Sequence, residues 1–190
     1  LKGERVEAAR RLPGPDNARF TGDKAAFLGH LQQALLASKV VSYAQGFMLL
    51  RAAAAAHGWQ LDYGAIAGLW RGGCIIRSAF LRDISSAYRQ NPHLANLLQA
   101  PFFAHLLARC QAGWRRVVAE ACLLGIPLPA MAAALTWLDG YRCERGPAGL
   151  IQAQRDFFGA HTFEYLERPG HAVHYDWTGR SISSSSTYNA

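Results

Sequence analysis

The sequence predicts an all-α fold, a multi-helix domain built on one long central helix and followed by an extended tail. Three observations carry that prediction. Apolar residues recur at helical spacing in stretches that open on Asp or Pro and close on Gly or Pro. No segment before Gly159 alternates apolar and polar residues with the period of a strand. Hydrophobic residues make up 51% of the 190 and charged residues 17%, enough to fill one core, which excludes a disordered chain or a coiled coil.

Leu1 to Leu12 is charged and amphipathic and reads as a helix, stopped by Pro13-Gly14-Pro15 because neither proline donates a helical hydrogen bond. Asp23 caps a stretch from Lys24 to His57, which Gly58 ends. It carries Phe27, Leu31, Leu35, Val41, Met48 and Leu49 on apolar faces and an alanine run from Ala52 to Ala56. At its usual rise such a helix is about 50 Å long. Apolar around much of its girth, it needs cover on several sides and is expected to be the pillar of a bundle or dimer.

Asp62 caps a shorter helix to Trp70, ended by Gly72-Gly73, and another runs from about Cys74 to Tyr88, closed by Asn91-Pro92. Pro101 opens a helix through Leu124 that Gly125-Ile126-Pro127 ends in Gly-then-Pro order. Pro129 to Tyr141 is the next helix, and Pro147 opens the last one, through Phe158 to Gly159. Beyond it Phe163, Tyr165, Val173, Tyr175 and Trp177 are too many large apolar groups for a solvated tail. That segment is expected to lie extended across a surface. The division expected is an α domain over 1–159, truncated at its N-terminal side, and a tail over 160–190.

A net charge of +7 favours anionic partners. The arginines are scattered, with no basic run longer than two, which argues against nucleic acid. Arg51, Arg71, Arg82 and Arg116 interrupt every apolar run short of membrane-spanning length. Cys74, Cys110, Cys122 and Cys143 show neither close pairing nor metal-ligand spacing and read as buried or free thiols of a reducing compartment.

The segment from Gln154 to His161 is the first candidate site. Arg155 falls in the last helical turn, and a left-handed cap at Gly159 would swing His161 back beside its guanidinium. Together they make a fork of donors for a phosphate or carboxylate. The competing reading is an Arg155–Asp156 surface pair with a solvated His161. The second candidate is Trp70 to Arg77, two arginines around a double glycine. A helix starting at Gly72-Gly73 would cradle an anion with its free N–H groups. The favoured reading is instead that the glycines let two helices pack closely, with Cys74 as a core thiol. His161, His171 and His174 match no zinc spacing, so no metal site is expected. Dinucleotide, P-loop and GxSxG signatures are missing, and the chain alone does not read as a complete enzyme.

Four collinear segments carry a resemblance to the decarboxylating 6-phosphogluconate dehydrogenase family. They are Ser38 to Arg51 (SKVVSYAQGFMLLR), Leu69 to Ser78 (LWRGGCIIRS), Leu150 to Thr162 (LIQAQRDFFGAHT), and Trp177-Thr178-Gly179 through Tyr188-Asn189-Ala190. The resemblance spans the chain but only the C-terminal part of the family's sequence. It implies an NADP-dependent oxidative decarboxylation of 6-phosphogluconate to ribulose 5-phosphate in the cytoplasmic pentose phosphate pathway. It also implies a homodimer whose tail threads into the other subunit.

Carried over, the family's phosphate-binding arginine and histidine are Arg155 and His161, which would serve the neighbouring subunit's site. Ser184, Ser185, Ser186 and Tyr188 would reach the partner's cofactor. The catalytic lysine and glutamate and the dinucleotide-binding domain would lie upstream of Leu1, so this segment alone is expected to be inactive. The tail departs from the family at Asp176, Arg180, Ser181 and Thr187. The rival expectation is a non-catalytic helical interaction module, which the absence of an upstream dinucleotide-binding domain would favour.

Overall fold

A computed structural model describes residues 1–177 and Gly179. The helices are α1 (Lys2–Arg11), α2 (Lys24–His57), α3 (Tyr63–Leu69), α4 (Leu81–Gln90), α5 (Pro101–Leu123), α6 (Pro129–Tyr141) and α7 (Ala148–Gly159). After them come two short strands, β1 (Phe163–Glu164) and β2 (Ala172–Val173). The fold class is therefore all-α, as the sequence predicts. The chain folds as two compact units, Leu1–Leu138 and Asp139–Ala190, which differs from the expected division after residue 159. α7 belongs with the C-terminal hairpin because its Asp156 bonds to residues 162, 174, 175 and 177.

In the first unit α2 runs between the expected caps. The Asp23 carboxylate accepts from Ala25 N at 2.8 Å and Ala26 N at 3.2 Å, and Gly58 closes the helix at φ +68°. Its buried stripe is Ala34, Ala37, Val40, Val41, Ala44 and Phe47, at three- and four-residue spacing. It packs on α5, whose inner face carries Phe103, Leu106, Leu107, Cys110, Trp114 and Val117. Leu35 and Leu49, expected on apolar faces, are instead 56% and 70% exposed. The contact face is built on alanine because small side chains let the helix axes approach. Gly113 belongs to the same close approach, since a Cβ there would fall 3.2 Å from the backbone of His30.

The helix expected from about Cys74 begins only at Leu81. Residues 71–80 run as turns, with Gly73 at φ +66°, Arg77 N bonding to the Cys74 carbonyl and Leu81 N to that of Ser78. Buried Phe80 anchors the end of that loop, and the Tyr43 hydroxyl donates to the Ile76 carbonyl in its middle. A 3-10 turn at Leu97–Gln99, not expected from the sequence, is fixed by Asn96. The Asn96 Oδ1 accepts from Leu98 N at 2.8 Å and its Nδ2 donates to Met48 Sδ at 2.9 Å, while the Arg51 guanidinium holds the Ala95 carbonyl. Phe47, Trp70, Tyr63 and Tyr88 pack ring against ring. Burial, reinforced by Tyr63, pushes the Tyr88 phenol up to about 12.

In the second unit β1 and β2 pair antiparallel, Phe163 opposite Val173 and Glu164 opposite Ala172. Glu164 accepts from Gly170 N at 2.8 Å and so closes the connecting loop. The aromatic residues that are too many for a solvated tail meet one another: Phe163 touches Tyr165 and Trp177, and Trp177 touches Tyr175 and Phe157.

Candidate anion-binding sites

The segment around Arg155 is organised by its neighbour. Asp156 is fully buried and accepts four hydrogen bonds. Thr162 N (2.9 Å) and His174 Nδ1 (3.0 Å) lie on Oδ1, and Tyr175 N (3.0 Å) and Trp177 Nε1 (2.8 Å) on Oδ2. Burial pushes this carboxyl up, but the four donors together outweigh it and hold it at about 2. The surface pair between Arg155 and Asp156 is thus replaced by a buried carboxylate that ties α7 to the hairpin.

The turn also differs from the expected one. Gly159 stays in α7, and Ala160 and Thr162 take the left-handed conformation, at φ 50° and 63°. Two such non-glycine residues in one turn are held there by the bond from Thr162 N to Asp156. The glycine serves close approach, because a Cβ at 159 would sit 3.2 Å from Cδ2 of His161 and 3.3 Å from its Nε2. His161 therefore packs over the helix end and remains exposed. Arg155 is exposed as well, its guanidinium donating to Gln152 Oε1 at 3.2 Å. Among the described residues no hydrogen bond joins Arg155 to His161. The two side chains sit separately, one before and one after the buried carboxylate.

Sequence reasoning missed Asp156 and its partner His174. An aspartate beside an arginine on a helix reads as a surface pair, and nothing in the spacing says that donors 6 to 21 residues later converge on it. Ser184, Ser185, Ser186 and Tyr188 lie outside the described residues, as do Arg180, Ser181 and Thr187.

The double-glycine segment also departs from its expected role. A Cβ at Gly72 or Gly73 would meet nothing within 4 Å, so the favoured packing role fails. Only Gly73 is constrained, by its left-handed turn. Nor does a helix begin at the glycines; their loop carries Arg71 and Arg77 round to the start of α4. There Arg71, Arg77 and Arg82 line a cleft of about 740 Å³ with Gly72, Ser78 and Ala79. Cys74 is half-buried and not a core thiol, while Cys110 is buried; all four cysteines are free.

Residues 1–177 match the family described as 6-phosphogluconate dehydrogenase, C-terminal domain. The decarboxylating 6-phosphogluconate dehydrogenases of Homo sapiens and Rattus norvegicus are 54% and 56% identical to the chain over 191 residues. Those matches cover 100% of this chain, which spans 40% of the length of either relative. The 6-phosphogluconate dehydrogenase of Plasmodium falciparum has been solved in its apo form, with its cofactor NADP+ and with its substrate 6-phosphogluconate. Its structure superposes with a TM-score of 0.86 at 35% identity, covering 93% of this chain and 38% of that one.

Proposed function

This chain belongs to the 6-phosphogluconate dehydrogenase family, and from that premise we propose that it forms the C-terminal part of the decarboxylating enzyme. The parent reaction oxidises 6-phosphogluconate and releases ribulose 5-phosphate and CO2, with NADP as the hydride acceptor. The observation that carries the site assignment is the pair of exposed donor side chains, Arg155 and His161, set on either side of a buried carboxylate that fixes the backbone between them. A substrate phosphate is a dianion; the guanidinium gives it charge-assisted hydrogen bonds and the imidazole adds a ring N–H donor. Binding energy gathered there, away from the reacting carbon, orients the rest of the substrate for reaction.

Arg155 and His161 serve the neighbouring subunit of a cytoplasmic homodimer in this proposal, and Ser184, Ser185, Ser186 and Tyr188 reach toward the partner's NADP. No catalytic residue is assigned to the segment, and alone it neither turns over substrate nor reduces NADP. No described helix is long and apolar enough to cross a membrane. The test is Arg155→Ala in the full-length enzyme. Loss of one charged phosphate contact is expected to raise KM for 6-phosphogluconate about 10- to 100-fold with a smaller change in kcat. An unchanged KM would remove Arg155 from the site.

A further inference from the structure

The three arginines of the 71–82 segment are drawn into one cleft without any acid to neutralise them. Among the described residues Arg71, Arg77 and Arg82 have no ion-pair partner, and no carboxylate lines the cleft. Gathering three like charges is unfavourable unless something anionic joins them. Three arginines elsewhere have an acid within reach, Arg10 and Arg11 at Glu7 and Arg142 at Asp139. The loop that brings the three together is built and not slack. Gly73 makes its turn in the left-handed region, the Tyr43 hydroxyl clasps the Ile76 carbonyl, and buried Phe80 seats its end. Ser78 adds a hydroxyl-bearing residue to the same wall.

We propose that Arg71, Arg77 and Arg82 form a binding site for the phosphoryl group of a small phosphorylated molecule, made by residues other than Arg155 and His161. Three guanidinium forks supply more positive charge than a single carboxylate neutralises, and the greater charge and larger number of acceptor oxygens of a phosphate or diphosphate match them better. A cleft of about 740 Å³ holds a molecule of nucleotide size, within the usual range for small-ligand sites.

The test titrates inorganic pyrophosphate into the full-length protein by calorimetry, in an Arg155→Ala, His161→Ala background that removes the other proposed phosphate site. Saturable binding is expected to persist there and to weaken about 100-fold on adding Arg77→Gln and Arg82→Gln, roughly tenfold for each charged contact. Equal affinity with and without those substitutions, or heat that never saturates, would overturn the proposal. Should the combined variant lose its helical circular dichroism, Arg82→Gln alone carries the test, with a tenfold loss expected and none overturning it. Failure here leaves the Arg155 reading standing, since that reading is judged by KM for 6-phosphogluconate.

Discussion

The α2–α5 contact and the Asp156 cluster are held by opposite kinds of force. The first joins two faces of alanine, valine, phenylalanine and tryptophan, with many small dispersion and burial terms spread along both helices. The second hangs on one carboxylate whose four donors come from residues 162, 174, 175 and 177. A distributed contact loses stability in proportion to the atoms removed. A buried charge with a full set of partners fails as a unit, because each donor left unpaired carries its own desolvation cost. Damage along the long helix is therefore graded by the atoms a substitution removes or forces in, while the segment presenting Arg155 and His161 depends on a single side chain.

The largest effect expected is in the distributed core. Trp114 is fully buried and its Nε1 donates to the Met131 carbonyl at 3.2 Å. Trp114→Ala is expected to cost about 3–5 kcal/mol, read from the urea midpoint of the helical signal. A loss under about 1 kcal/mol would mean that the α2–α5 contact is not the principal core.

Next comes Asp156→Asn, which turns an amide N–H2 toward donors and is expected to cost about 3 kcal/mol locally. Amide exchange at Thr162 and Tyr175 should quicken while α2 and α5 stay protected. Equal loosening of both would erase the contrast between the regions. Acid sharpens the same contrast. Asp156 is held at about 2, below the ordinary carboxylate value, so its contribution is complete above that ordinary range. It is lost as the pH falls through about 4 toward 2. Exchange at Thr162 should rise there before exchange in α5.

The smallest effect belongs to an apolar residue outside either cluster. Leu49 is 70% exposed, and Leu49→Ala is expected to shift thermal stability of the chain by no more than about 0.5 kcal/mol. A loss above about 2 kcal/mol would show that another surface covers it.

Much of the helical frame could be read from the sequence alone because its signals are local. Asp23 and Gly58 bound α2, Pro101 opens α5 and Pro129 opens α6, each acting through a backbone N–H or φ angle that the residue itself controls. Arg155 and His161 stand out in the sequence as donor side chains around a helix end and again through the family's motif, and their phosphate-binding role is the proposal made above. What the sequence left undecided depends on partners far along the chain. Which face of α2 is buried turned on how closely α5 approaches, so alanines were taken in and Leu35 and Leu49 left out. The 71–80 segment stayed in turns because it is tied to Tyr43 and to the buried seat of Phe80. Asp156 became the centre of its unit only when donors up to 21 residues later converged on it. Local sequence sets where a helix starts and stops, but burial and the gathering of charge are properties of the folded whole, and tertiary structure alone decided them.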